Sequence, residues 1–129
     1  MSKPTLAKEF RLKLYPQDFY KVREFYEIEL GYAVINEWDR PDSKGVMLDL
    51  GGTVLEILTP EKGYTPIAGA DISLEVIDVW ALYKTMESKP YVVRGLKDNS
   101  WGDTSFHITD PEGFVITFFT KTDKKAQSI

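Results

Sequence analysis

Glu9, Glu56 and Asp71 are the residues whose type and placement in this 129-residue chain suggest chemistry, each lying in or beside a segment where polar and apolar residues alternate. Carboxylates that converge repel and raise one another's pKa unless a proton or cation lies among them. Arg11 and Lys13, a divalent metal ion, or the cationic group of a ligand would meet that need. Three carboxylates suit Mg²⁺ or Mn²⁺, which prefer oxygen, whereas Zn²⁺, Ni²⁺ or Fe²⁺ usually call for imidazole. His107 is the one histidine and so the acid-base candidate; the plainer reading of a single strand histidine is a hydrogen-bonded wall residue. Trp38 and Trp101 stand where loops meet strands and offer stacking surfaces, although plain packing accounts for the same placement, and Trp80 reads as core or interface. The chain has no cysteine, which excludes disulfides, thiolate zinc sites and a thiol nucleophile. Phosphate loops, Gly-x-Ser-x-Gly and His-Glu-x-x-His are absent as well.

Residues 9–15 alternate as a two-faced strand should, Pro16 ends the ladder, and Asp18 stands as an N-cap. Phe19, Val22, Phe25, Tyr26 and Leu30 then recur at helical spacing until Gly31. Strands are expected over 32–38, 46–50 and 53–58, the last two joined across Gly51-Gly52. After a linker bearing Pro and Gly the order repeats, with a strand over 71–76, an Asp78 cap, a helical stripe of Val79, Leu82, Tyr83 and Met86, a short strand over 91–93, and strands over 104–109 and 114–120. Matching Leu12–Leu14 to Leu74–Val76 gives an offset of 62 residues, and matching Val54–Leu58 to Val115–Phe119 gives 61. That is an internal duplication of a βαβββ unit. The division is repeat one over 8–58, a linker over 59–69, repeat two over 70–120 and a polar tail over 121–129, within a single domain. The expected class is α+β, with two βαβββ repeats forming a curved mixed sheet, a cup with helices on its outer face.

Alternation assigns the cup's lining. Leu12 and Leu14 go to the helix, so Glu9, Arg11 and Lys13 face inward; Ile72, Leu74 and Val76 do the same for Asp71, Ser73 and Glu75. Val54, Glu56, Ser105, His107, Val115, Thr117 and Phe119 face the cup by the same rule, with Met47 and Asp49 beside them. The plain alternative is a solvated sheet face.

The block Phe25-Tyr26 with Leu30-Gly31, the hairpin from Met47 through Gly51-Gly52 and Glu56 to Ile57, and the run Trp101-Gly102-Asp103-Thr104-Ser105-Phe106-His107-Ile108-Thr109-Asp110-Pro111-Glu112-Gly113 together resemble the vicinal oxygen chelate superfamily. That superfamily includes glyoxalase I, extradiol dioxygenases, fosfomycin-resistance enzymes and bleomycin-resistance proteins. The Trp-Gly pair ahead of Asp-Pro-x-Gly is closest to the bleomycin-resistance branch. Members resembling glyoxalase I place metal ligands at four positions, which read here Glu9, Glu56, Asp71 and Thr117; only Glu56 keeps the pattern. The resemblance therefore implies a homodimeric protein that sequesters a cationic or aromatic small molecule, without a cofactor. Glu9, Glu56, Asp71 and Glu75 would supply the field, Trp38 and Trp101 the stacking, and Ser105 and His107 the orienting hydrogen bonds, with Arg11, Lys13, Ser73, Thr117 and Phe119 completing the wall. The alternative is a metal-dependent lyase or isomerase holding a divalent ion on Glu9, Glu56 and Asp71, with His107 as a further ligand. A third reading is an interaction module whose cup is filled by its own side chains.

At 43% hydrophobic and 28% charged the chain has the balance of a folded globular protein. A net charge of −4 is the wrong sign for a nucleic-acid partner. With no apolar run near the roughly 18 residues of a membrane span and no apolar stretch in MSKPTLAKEF, the expected location is the cytoplasm.

Overall fold

In a computed structural model, residues 4–122 are described. The chain divides between Pro66 and Ile67 into two compact units of like build. In the first, β1 (Arg11–Leu14) leads into α1 (Phe19–Glu24) and a π-helical turn (Phe25–Glu29), followed by β2 (Ala33–Asp39), β3 (Lys44–Asp49) and β4 (Val54–Leu58). The sheet order is β1-β4-β3-β2, with β1 parallel to β4 and the other pairs antiparallel. Asp18 caps α1 by accepting the Lys21 amide at 3.1 Å. The helical stripe expected to reach Leu30 does so, but past Glu24 the helix widens into a π turn, a wider coil that takes in the adjacent aromatics Phe25 and Tyr26, whose rings meet edge to face. Leu14, Val46, Leu48, Leu55 and Ile57 are buried with Phe19, Val22, Phe25 and Tyr26. The predicted turn at Gly51-Gly52 is closed by Leu50 donating to the Thr53 carbonyl at 2.9 Å. On the other face Trp38 pairs across the ladder with Gly45, and a Cβ at Gly45 would fall inside the indole ring. Only glycine lets that ring lie on β3.

The second unit runs β5 (Ile72–Glu75), α2 (Val79–Met86), β6 (Val92–Asn99), β7 (Asp103–Thr109) and β8 (Val115–Lys121), in the order β5-β8-β7-β6. Asp78 caps α2 by accepting the Ala81 amide at 3.0 Å. Val79 and Met86 of α2 are buried with Phe106, Ile108, Phe114, Ile116 and Phe118. Asp110 closes the β7–β8 turn, its Oδ1 accepting the amides of Glu112 and Phe114 at 2.8 and 3.0 Å, while Gly113 takes the positive φ of +85° that the turn requires.

The α+β class and its paired βαβββ order are those read from the sequence. The strand expected over 91–93 is longer: β6 extends to Asn99. Its register against β7 shifts on both sides of Arg94, and two bulges erase the alternation that would have marked it. At the other end β8 takes in Lys121, and Thr122 donates to the Gly102 carbonyl at 2.9 Å. The rest of the tail expected over 121–129 lies outside the described residues.

Candidate functional site

On the second unit the face of the sheet away from α2 holds a concavity of about 500 Å³. Alternation along β7 builds its floor: Thr104, Phe106 and Ile108 turn to the core, leaving Asp103, Ser105 and His107 on the open face. Register brings Thr117 and Phe119 of β8 opposite His107 and Ser105, and Ser73 of β5 opposite Thr117. From β6, Arg94 stands opposite His107, Lys97 opposite Ser105 and Asn99 opposite Asp103. Trp101, in the loop between β6 and β7, closes one side.

These side chains form one hydrogen-bonded network. Arg94 Nη1 donates to the carbonyls of Gly95 and Ser105, both at 2.9 Å. Arg94 Nη2 donates to Ser105 Oγ and reaches His107 Nε2, again at 2.9 Å. Asn99 Nδ2 donates to Asp103 Oδ1 at 2.7 Å and to Ser105 Oγ at 3.0 Å, and the Trp101 indole N–H donates to Asp103 Oδ2 at 3.1 Å. Because a guanidinium can only donate, Nε2 of His107 must accept, so the ring is neutral and carries its proton on Nδ1. The lone pair that a general base needs is thus engaged.

Burial, then the charge of Arg94 and more weakly that of Lys97, pushes the His107 pKa below its ordinary 6.5, against the upward pull of Asp71. The unfolded chain therefore takes up this proton first on acidification. The stability contributed by the neutral ring is complete above about pH 6.5 and is lost as pH falls below it toward the folded value. With a single histidine, an NMR titration of its ring should give one curve with a midpoint below 6.5. His107→Gln should remove the loss of stability over that interval; an unchanged pH profile in the variant would refute the assignment.

The residues singled out from the sequence are divided between the two units. Ser73, Trp101, Ser105, His107, Thr117 and Phe119 line the one concavity. Glu75 lies on the adjoining strand, 3.9 Å from Lys121, and Asp71, just ahead of β5, is exposed and acts on His107 by charge. On the first unit, Glu9 and the nearly buried Glu56 both face Arg11; Glu9 is hydrogen-bonded to its Nε, and Glu56 lies 3.8 Å from Nη1. The cation that Glu9 and Glu56 need is that guanidinium. Lys13 and Trp38 line a different hollow of about 420 Å³, with Tyr15, Arg40 and Lys44. Arg94, Lys97, Asn99 and Asp103 are the lining residues that the candidate set from the sequence lacks. For the three on β6 the bulges hid the period; Asp103 was legible, two positions before Ser105 on the same strand face.

Of the metal positions implied by the resemblance, Glu9 and Glu56 lie on the first unit and Asp71 and Thr117 on the second. Within either unit, no three His, Asp or Glu side chains among the described residues gather as ligands. Arg11 faces the two carboxylates of the first unit, Thr117 is a poor donor, and Arg94 holds His107 Nε2.

A family model described as the Glyoxalase/Bleomycin resistance protein/Dioxygenase superfamily matches residues 10–118. The chain belongs to that superfamily. Solved structures of the superfamily's fold match almost end to end. A member from Sphaerobacter thermophilus DSM 20745 superposes with a TM-score of 0.74 at 20% identity, over 90% of this chain and 98% of its own. Lactoylglutathione lyase from Agrobacterium tumefaciens gives 0.69 at 20% identity, over 92% and 96%. TnmS3, an antibiotic binding protein from Streptomyces sp. CB03234, gives 0.70 at 19%, over 93% and 100%. At such identities the likeness establishes the fold of this superfamily member and leaves its chemistry to its own residues. A search of curated proteins returns no match.

Proposed function

We propose that this superfamily member binds a small planar molecule in the concavity of the second unit and releases it unchanged, as a protein of the bleomycin-resistance-like branch acting as a homodimer in the cytoplasm. The observation that carries the reading is the engaged lone pair of His107: the one imidazole of the chain is spent holding Arg94. What remains is a recognition surface. The indole of Trp101 is oriented by Asp103 yet 58% exposed, Phe119 adds an apolar wall, and Ser105 and His107 sit between them on the floor. Groups fixed before a ligand arrives do not have to be ordered by it, which favours binding.

The test is a screen of planar aromatic compounds, bleomycin included, followed by NMR of the Trp101 indole and the His107 ring, with each binder recovered and weighed by mass spectrometry. The expected result is saturable shifts of both signals and an unaltered compound. The competing reading, a metal-dependent lyase, requires stoichiometric metal on protein purified without chelator and its loss in Glu56→Ala. That outcome, or chemical conversion of a binder, would overturn the proposal.

A further inference from the structure

We infer that the molecule bound on the second unit is an aromatic oxyanion, a planar ring bearing a carboxylate or sulfonate; this deepens the proposed function and rests on it. The sequence pointed to a cationic ligand through Glu9, Glu56 and Asp71. In the structure the first two are answered by Arg11, and the concavity itself carries the opposite charge.

Arg94 is the telling residue. Arg11 faces Glu9 and Glu56, and Arg23 faces Glu27 and Glu37 at 3.0 and 2.6 Å. Arg94 is half-buried like Arg23, yet its four acceptors are two carbonyls, a hydroxyl and an imidazole, all neutral. They take the four hydrogens of Nη1 and Nη2 and leave the guanidinium without a carboxylate partner. Bulges on both sides of Arg94 re-aim a strand residue, a device common beside binding sites. Lys97, across the ladder from Ser105, makes no ion pair among the described residues.

Counting donors and acceptors gives the same sign by an independent route. Ser105 Oγ accepts from both Arg94 and Asn99, so its lone pairs are taken and its own O–H must donate elsewhere. With Nε2 of His107 accepting, its Nδ1–H is likewise a donor, and Lys97 adds an ammonium. None of these donors has an acceptor among the described residues. Asp103 is the one carboxylate lining the concavity, and both its oxygens already accept, from Asn99 and Trp101. A floor with donors to spare and a guanidinium without a carboxylate partner calls for an acceptor-rich, negatively charged group. Trp101 and Phe119 take the ring that carries it.

Three probes of one shape separate the possibilities: 2-naphthoate, 2-naphthylmethanol and 2-naphthylmethylammonium, titrated at low ionic strength while the Trp101 and His107 signals are followed. Naphthoate is expected to bind at least tenfold more tightly than either of the others. Lys97→Gln, a change at an exposed side chain, should narrow that preference severalfold while Arg94 keeps part of it, and 0.5 M salt should narrow it too. Equal affinities, or preference for the ammonium, would overturn the inference while leaving a small-molecule site in place. If none of the three moves either signal, the inference and the proposed function both fall.

Discussion

Phe106→Ala should lower the unfolding free energy of the second unit by about 3–5 kcal/mol, the range for removing a fully buried aromatic ring. Phe106 has no exposed surface. Its ring stands 5.1 Å from that of Tyr83 on α2 and 5.5 Å from that of Phe118 on β8, so it joins the helix to the two central strands. The size of the loss depends on whether the surroundings can collapse, and a ring held between helix and sheet leaves little that can move in. The consequence reaches the binding face as well. Ser105 and His107 flank Phe106 in sequence and point the opposite way from the same strand, so a void beneath β7 loosens the floor of the concavity. Urea denaturation followed by tryptophan fluorescence should show the drop, and the Trp101 and His107 NMR signals should broaden before global unfolding. Phe106→Leu, which keeps most of the volume, should cost under half as much. A loss below 1 kcal/mol for the alanine variant would mean that the core of this unit lies elsewhere.

The fold was legible because most of its strands are two-faced. Leu12-Lys13-Leu14 and Phe106-His107-Ile108 announce a core side and an open side by period alone, and the same signal came twice at an offset of 61–62 residues. Turns were legible for a chemical reason: Gly51-Gly52 and Asp110-Pro111-x-Gly113 permit little else. The candidate site was legible only in part. Ser73, Ser105, His107, Thr117 and Phe119 lie on unbroken strands and were placed by alternation, and Trp101 by its position at a strand end. Arg94, Lys97 and Asn99 lie on β6, where two bulges shift the register, so no period connects Val92 to Asn99. The unread part of β6, from Arg94 to Asn99, mattered twice over. Without it Arg94 had no partner, and a histidine without Arg94 reads as a free base; without Lys97 the inward polar set looks acidic. A bulge is fixed by how two strands meet, which a single segment read alone does not record.

Arg94→Met should therefore change more of the site than any other single substitution on this face. It removes four hydrogen bonds at once, leaving Nε2 of His107 without its donor and the carbonyls of Gly95 and Ser105 without their side-chain partner. Hydrogen bonds from a charged donor are worth about 1.5–3 kcal/mol each in favourable settings, but water reaches this half-buried position and replaces part of them, so the expected net loss of stability is about 2–3 kcal/mol. Stability alone would not distinguish a structural prop from the role argued for Arg94; the histidine does. With the cationic neighbour gone, burial and Lys97 remain to lower the His107 pKa and Asp71 to raise it, so the midpoint should move up toward 6.5. Arg94→Lys separates charge from geometry: it keeps the positive charge, so His107 should stay low, but a single ammonium cannot span Ser105 and His107, and the stability should not return. Naphthoate binding should fall in both variants, further in the methionine one, which loses the charge as well as the clamp. A His107 midpoint unmoved in Arg94→Met would show that the guanidinium does not sit against the ring, and with it would go the tautomer, the spare donors and the case for an anion.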